Sequence, residues 1–159
     1  MKTEMIQIPQ VRVADRFWDR LITNATERVL PYQWRVLNDN EPGAAPSHAI
    51  RNFRIAAGLE EGEFQGFQFQ DSDLAKWMEG ASFSLLYHDS EELRAELKEV
   101  IGLIGKAQQP DGYMDTHFIL KKPDRKWKEL AHGHELYCAG HMLEAAVAYT
   151  QVTGDDSFL

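Results

Sequence analysis

The chain is predicted to be all-α, on three observations. Apolar residues recur at three- and four-residue spacings along most of the 159 residues, strand-like alternation is absent after the first dozen, and the apolar stripes are set apart by capping side chains and by Pro, Gly and Asn breakers. With 43% hydrophobic residues it can bury one core and is too short for two.

Asp15 is placed to cap a first helix whose apolar positions are Phe17, Leu21, Ile22, Ala25 and Val29, up to Pro31, which ends or kinks it. An Asn-, Pro- and Gly-rich loop spans 38–46, and a short helix around 47–58 stops at Gly58. Residues 60–70 are irregular and aromatic, with Phe64, Phe67 and Phe69. Asp71, Ser72 and Asp73 are N-cap material for a helix over 74–87. Ser90 caps the next, Glu91 and Glu92 complement its dipole, and Leu93, Leu97, Val100, Ile101 and Ile104 form its buried stripe.

Gln109-Pro110-Asp111-Gly112 breaks that helix and opens a polar connection of about 20 residues, longer than most in a compact domain. The last helix is predicted to carry His132, His134, His141 and the only cysteine, Cys138. At about 100° per residue His134, Cys138 and His141 share one face, leaving Leu136, Gly140, Leu143 and Val147 to pack on the other. Gly154 ends it, and Asp155 and Asp156 offer fresh caps to a helix with no body. The expectation is therefore a fragment of a longer helical protein, its helices paired into stacked hairpins as in a solenoid or toroid.

A net charge of −8 and a pI near 5.2 argue against a nucleic-acid surface, which needs a basic stripe. Residues 1–10 contain no apolar run, so no secretory signal is expected, and no stretch approaches the roughly 20 apolar residues of a membrane span. A single cysteine excludes an internal disulfide and fits a reducing compartment, so a cytoplasmic location is expected.

Imidazole and thiolate are zinc ligands, but His134 and His141 are about 10 Å apart along a helix axis, too far to meet readily at one ion. The histidines then either pack in a core or line a pocket. Cys138 as a nucleophile would need a thiolate-stabilising partner, with imidazoles a turn to either side; as a small hydrophobe it needs none. Carboxylate pairs of the kind glycoside hydrolysis uses are Asp71 with Asp73 and Asp111 with Asp115, with Glu135 as a further option, although the first pair also reads as caps and Asp111-Gly112 as a turn. Residues 108–116 mix amide, carboxylate and aromatic groups that suit sugar hydroxyls and ring faces, and Tyr32, Trp34, Trp77 and Trp127 either stack on a sugar or fill the core. There is no phosphate loop, nucleophile elbow or CxxC pair.

Four blocks, in order, carry a resemblance: Pro31-Tyr32-Gln33-Trp34; Phe69-Gln70-Asp71-Ser72-Asp73-Leu74 with Lys76-Trp77; Ala107-Gln108-Gln109-Pro110-Asp111-Gly112-Tyr113; and His134-Glu135-Leu136-Tyr137-Cys138-Ala139-Gly140-His141 with Glu144-Ala145-Ala146. Together they closely resemble the N-terminal part of glycoside hydrolase family 127, the β-L-arabinofuranosidase-like proteins. The resemblance implies that residues 1–159 are the first helical hairpins of an (α/α)6 toroidal catalytic domain, truncated, with the remaining toroid helices and β-sandwich domains absent. It implies retaining hydrolysis of terminal β-L-arabinofuranosyl groups by a cysteine nucleophile and a glutamate acid/base. It also implies a zinc ion held by cysteines and a glutamate, and an arabinose-containing oligosaccharide or glycoconjugate as partner. The family carries those catalytic and metal groups beyond this point, so no catalytic or metal residue is assigned here, Cys138 included. His134 matches a histidine that contacts the arabinofuranose in the family, and Asp73, Trp77, Asp111 and Tyr113 fall in blocks near the site. Two other classes remain open: another helical-toroid carbohydrate enzyme, such as an epimerase or unsaturated-uronide hydrolase, and a non-catalytic helical binding or scaffold module.

Overall fold

A computed structural model describes residues 6–159; the first five residues, part of the segment read as carrying no secretory signal, lie outside the described residues. All regular structure among the described residues is helical. The helices are α1 (Arg16–Asn24), α2 (Leu30–Leu37), α3 (Ala49–Ala56), α4 (Asp71–Ser84), α5 (Glu91–Ala107), α6 (Thr116–Lys121), α7 (Leu130–Gly133) and α8 (Glu135–Thr153). None of them is long and apolar enough to cross a membrane.

Asp15 caps α1 as its position requires, accepting from the N–H groups of Phe17 and Trp18. Pro31 does not end this helix. A π-turn at Ala25–Val29 joins α1 to α2, with Leu30 N–H reaching back to the Ala25 carbonyl, and the helix runs on to Leu37. The wider turn shifts the carbonyl register just before the proline, where a regular turn would clash with its ring. Of the predicted apolar stripe, Phe17, Leu21 and Val29 are exposed among the described residues and Ile22 is half-buried.

The core lies between α2, α3, α4, α5 and α8, built from Leu30, Phe53, Leu74, Met78, Leu97, Ile104, Met142 and Tyr149 among others. Helix α4 is central and packs most extensively on α8. Small buried residues at the contact, Ala75 and Ala81 on α4 and Ala145 and Ala148 on α8, let the two axes approach closely. Ser90 caps α5 through Leu93 N–H, and Gly154 ends α8 in the left-handed conformation that a glycine adopts without steric cost.

Four further expectations are corrected. Asp71, Ser72 and Asp73 are the first turn of α4 rather than its N-cap, and the Asp71 side chain turns away to another segment. The polar connection after α5 is not a long loop, because α6 and a 3-10 turn at Pro123–Arg125 form within it. The histidine helix is interrupted: α7 stops at Gly133, His134 adopts a left-handed conformation (φ 62°), and α8 starts at Glu135. A Cβ at Gly133 would stand 2.9 Å from the Phe118 ring, so glycine is what allows this chain reversal to sit against α6. The faces of α8 are also the reverse of the prediction. Cys138, Met142, Ala145 and Tyr149 are buried against α4, while Leu136, Leu143 and Val147 are exposed.

Candidate functional site

Two polar regions meet at the turn between α7 and α8. The first is a half-open face formed by α2, α4 and the start of α8. Its anchor is His134, half-buried, with Nδ1 2.8 Å from the His132 carbonyl and 3.1 Å from Gln68 Nε2. Gln68 also donates to the His132 carbonyl, so the turn is tied to the 60–70 segment. The imidazole lies 5.2 Å from the Phe69 ring and 5.8 Å from Tyr137, between two aromatic walls. With Nδ1–H donated to the carbonyl, Nε2 is an acceptor without a protein partner among the described residues, the arrangement that suits a substrate hydroxyl.

From Tyr137 the face continues to Lys76, whose ammonium stands 5.0 Å above the phenol ring and 3.7 Å from Asp73, and 3.1 Å from Ser72 Oγ. Asp73 also accepts from Gln70. Next to Lys76 opens a groove of about 280 Å³ lined by Tyr32, Gln33, Ser47, Asp73, Lys76 and Trp77. Trp77 itself is buried, stacked on Trp34 at 4.6 Å with its indole N–H donated to the Leu30 carbonyl, so it gives the groove a floor and its polar atom is already committed.

The second region is a buried carboxylate cluster around a cavity of about 90 Å³ whose walls include Asp71, Tyr113, Asp115, Trp127, Glu135 and Cys138. Asp71 accepts from both the N–H and the hydroxyl of Thr116, at 2.7 and 2.6 Å. Asp115 caps α6 through Oδ1, while its Oδ2 is buried without a partner. Burial pushes the Asp71 carboxyl up to about 6 against the opposing effect of the Thr116 hydrogen bonds. Burial, joined by the charge of Asp71, pushes Asp115 up to about 8. Glu135 accepts from the Tyr113 hydroxyl and, through both oxygens, from the backbone N–H of Trp127.

The structure thus joins His134 and Asp73 through Tyr137 and Lys76, with Trp77 in the groove alongside. Tyr113 belongs to the buried cluster, with its hydroxyl used on Glu135. Asp111 is exposed and closes its own turn by accepting from Tyr113 N–H, with Gly112 at φ 86°. The amides of residues 108–116 are likewise spent locally, Gln108 on the Gly112 carbonyl and Gln109 on that of Ala107. Sequence reasoning did not single out Lys76, Gln33 and Gln68, although the first two lie in the quoted blocks. It also had no local signal for the pairing of Asp71 with Thr116, 45 residues apart.

Cys138 sits where the thiolate is disfavoured. Burial first, and then the nearby charges of Asp71 and Asp115, push its thiol far up, away from the thiolate. Nor do the residues present fit a zinc ion. Among the described residues no three His, Cys, Asp or Glu side chains converge as a metal-holding group.

Residues 10–159 match the family model described as the β-L-arabinofuranosidase GH127 catalytic domain. A non-reducing end β-L-arabinofuranosidase of Bifidobacterium longum subsp. longum is 41% identical over 165 residues, covering 94% of this chain and 25% of that protein. The crystal structure of a GH127 β-L-arabinofuranosidase from Geobacillus stearothermophilus superposes with a TM-score of 0.91 at 52% identity, over 92% of this chain and 23% of that one. A second GH127 β-arabinofuranosidase structure, BT3674, matches with a TM-score of 0.82 at 30% identity, over 96% of this chain and 24% of that one. The chain therefore spans about a quarter of the length of these relatives.

Proposed function

The chain belongs to the GH127 β-L-arabinofuranosidase catalytic-domain family, and from that premise we propose that it supplies one wall of the sugar site of a retaining glycosidase that removes terminal β-L-arabinofuranosyl groups. The observation that supports this reading is His134: a left-handed turn holds the imidazole between Phe69 and Tyr137, ties down Nδ1 and leaves Nε2 for a ligand hydroxyl. Lys76 and Asp73 beside it offer a donor and an acceptor to further hydroxyls, and Trp77 with Tyr32 lines the adjoining groove. Asp111 and Tyr113 support the site from behind, by shaping the turn that delivers Asp115 and the phenol that steadies Glu135.

Retaining hydrolysis needs a nucleophile and an acid/base flanking the scissile bond, and the residues described here supply binding and orientation only. The zinc ion that the family resemblance implies, with its ligands outside these residues, and a cytoplasmic setting belong to the same proposal. The test is kinetic. In the full-length protein, His134→Ala should lower kcat/KM on 4-nitrophenyl β-L-arabinofuranoside by at least about tenfold, the scale of one lost hydrogen bond to substrate, with Tm within a few degrees. A polypeptide of these 159 residues alone should hydrolyse none. Unchanged kinetics in His134→Ala, or hydrolysis by the short polypeptide, would sink the reading.

A further inference from the structure

Residues 121–128 carry five cations, Lys121, Lys122, Arg125, Lys126 and Lys128, against one acid, Asp124, in a chain whose net charge is −8. A basic run in an acidic protein is a local departure from its overall charge. Arg125 is engaged by Glu129, and Lys126 lies 4.5 Å over the Tyr113 ring, whereas Lys121, Lys122 and Lys128 are exposed with no ion pair among the described residues. Trp127 sits inside this run and is 53% exposed. Its backbone is left-handed (φ 61°), a conformation that costs a bulky residue on the order of 1–3 kcal/mol.

The strain is held by Glu135, which receives the Trp127 N–H on both oxygens, and by Tyr113, against whose ring the indole stands edge-on at 5.2 Å. The indole closes one wall of the cavity beside Glu135 and leaves its remaining surface, about half, exposed among the described residues. The exposed indole lies between Lys126 and Lys128 in the chain, and the Lys126 ammonium stands over Tyr113, the same ring on which the indole packs. Glu135 directly follows His134, so the indole and the imidazole hang from the same turn.

We propose that Trp127 with Lys126 and Lys128 is a platform for a sugar residue bearing a carboxylate, a uronate neighbouring the arabinofuranosyl group, an inference that rests on the glycosidase reading above. The axial C–H groups of a pyranose ring pack on an indole face, and a ring carboxylate takes charge-assisted hydrogen bonds from lysine. A neutral sugar uses only the first of these. Exposed ammonium groups are screened beyond about 8 Å at physiological ionic strength, so recognition of the carboxylate must weaken with salt.

The test is calorimetric titration of the full-length protein with trigalacturonate and, in parallel, with neutral arabinotriose. Trigalacturonate should bind more tightly than the neutral trisaccharide, and its Kd should rise severalfold between about 20 and about 300 mM NaCl. Lys128→Gln, at an exposed side chain, should lose about threefold in trigalacturonate affinity, and the double variant Lys126→Gln/Lys128→Gln, with Tm reporting any cost of the lost Lys126 contact with Tyr113, about fivefold and most of the salt dependence. Trp127→Ala should lose affinity for it as well. Binding of trigalacturonate no tighter than that of arabinotriose, or unmoved by the lysine substitutions, overturns the platform even if the protein hydrolyses arabinofuranosides. Conversely, uronate binding that fades in the variants of a protein with no arabinofuranosidase activity would keep the platform and overturn the glycosidase reading.

Discussion

The backbone N–H of Trp127 points between the two carboxylate oxygens of Glu135, 2.9 Å from one and 3.1 Å from the other, and both residues lie next to the turn that sets His134. Glu135 is 2% exposed, and its charge is offset by this N–H and by the Tyr113 hydroxyl. Two left-handed residues, Trp127 and His134, are thereby joined through one buried carboxylate.

Removing that carboxylate should be costly. Glu135→Ala strands a buried phenol and a buried N–H and is expected to lower unfolding free energy by about 2–4 kcal/mol; Glu135→Gln, which keeps an acceptor oxygen, by about 1 kcal/mol. Urea unfolding followed by circular dichroism reads both. Equal losses in the two variants would show that a single acceptor oxygen of the same size does not suffice and that the carboxylate itself is required at this position.

Asp115 should make stability fall with rising pH. Its folded-state carboxyl is raised to about 8, above the unfolded value, so the stabilisation of the protonated form is complete at low pH and is lost as pH climbs toward 8. Asp71, raised to about 6, acts in the same direction over a lower window. Asp115→Asn keeps the α6 cap acceptor and cannot ionise, so its Tm advantage over the parent should widen between about pH 4 and 8 and stay constant above that. Parallel Tm profiles for the two proteins would refute the assignment.

His134 offers a separation of backbone from side chain. Glycine adopts φ 62° freely and alanine does not, so His134→Gly should be about 1 kcal/mol more stable than His134→Ala. Both should lose arabinofuranoside affinity alike. If glycine restored affinity, the turn rather than the imidazole would be the functional element.

Cys138 should resist thiol reagents. It is 3% exposed with its thiol held protonated, so disulfide-exchange reagents at pH 8 should label the native protein at least about a hundredfold more slowly than the urea-unfolded one. Fast native labelling would mean that α8 parts readily from α4.

Much of the helical layout was legible because its causes are local. The caps at Asp15 and Ser90, the stop at Gly154 and the periodic stripe of α5 depend on residues within a turn or two of one another. The errors fell where distant residues decide. His134 continues a helical pattern in sequence, yet the approach of Phe118 to Gly133 and the grip of Glu135 on Trp127 break the helix just before it. Periodicity also found two faces on α8 without telling which one is buried. Leucines outrank alanines in hydrophobicity, but the contact with α4 takes the face on which Cys138 and Ala145 let the axes approach and Met142 and Tyr149 reach into the core.

The amino-acid sequence by itself determined the all-helical class, most helix positions and the family, since caps, breakers, periodicity and motif blocks are properties of short segments. Tertiary structure alone decided that Asp71 meets Thr116, that Asp115 keeps an unpartnered buried oxygen, and that a basic run carries a strained, exposed Trp127 beside the His134 turn. Those relationships join residues up to 45 positions apart, and burial, which sets both the raised carboxyl pKa values and the strain the fold can hold, exists only once the helices have packed.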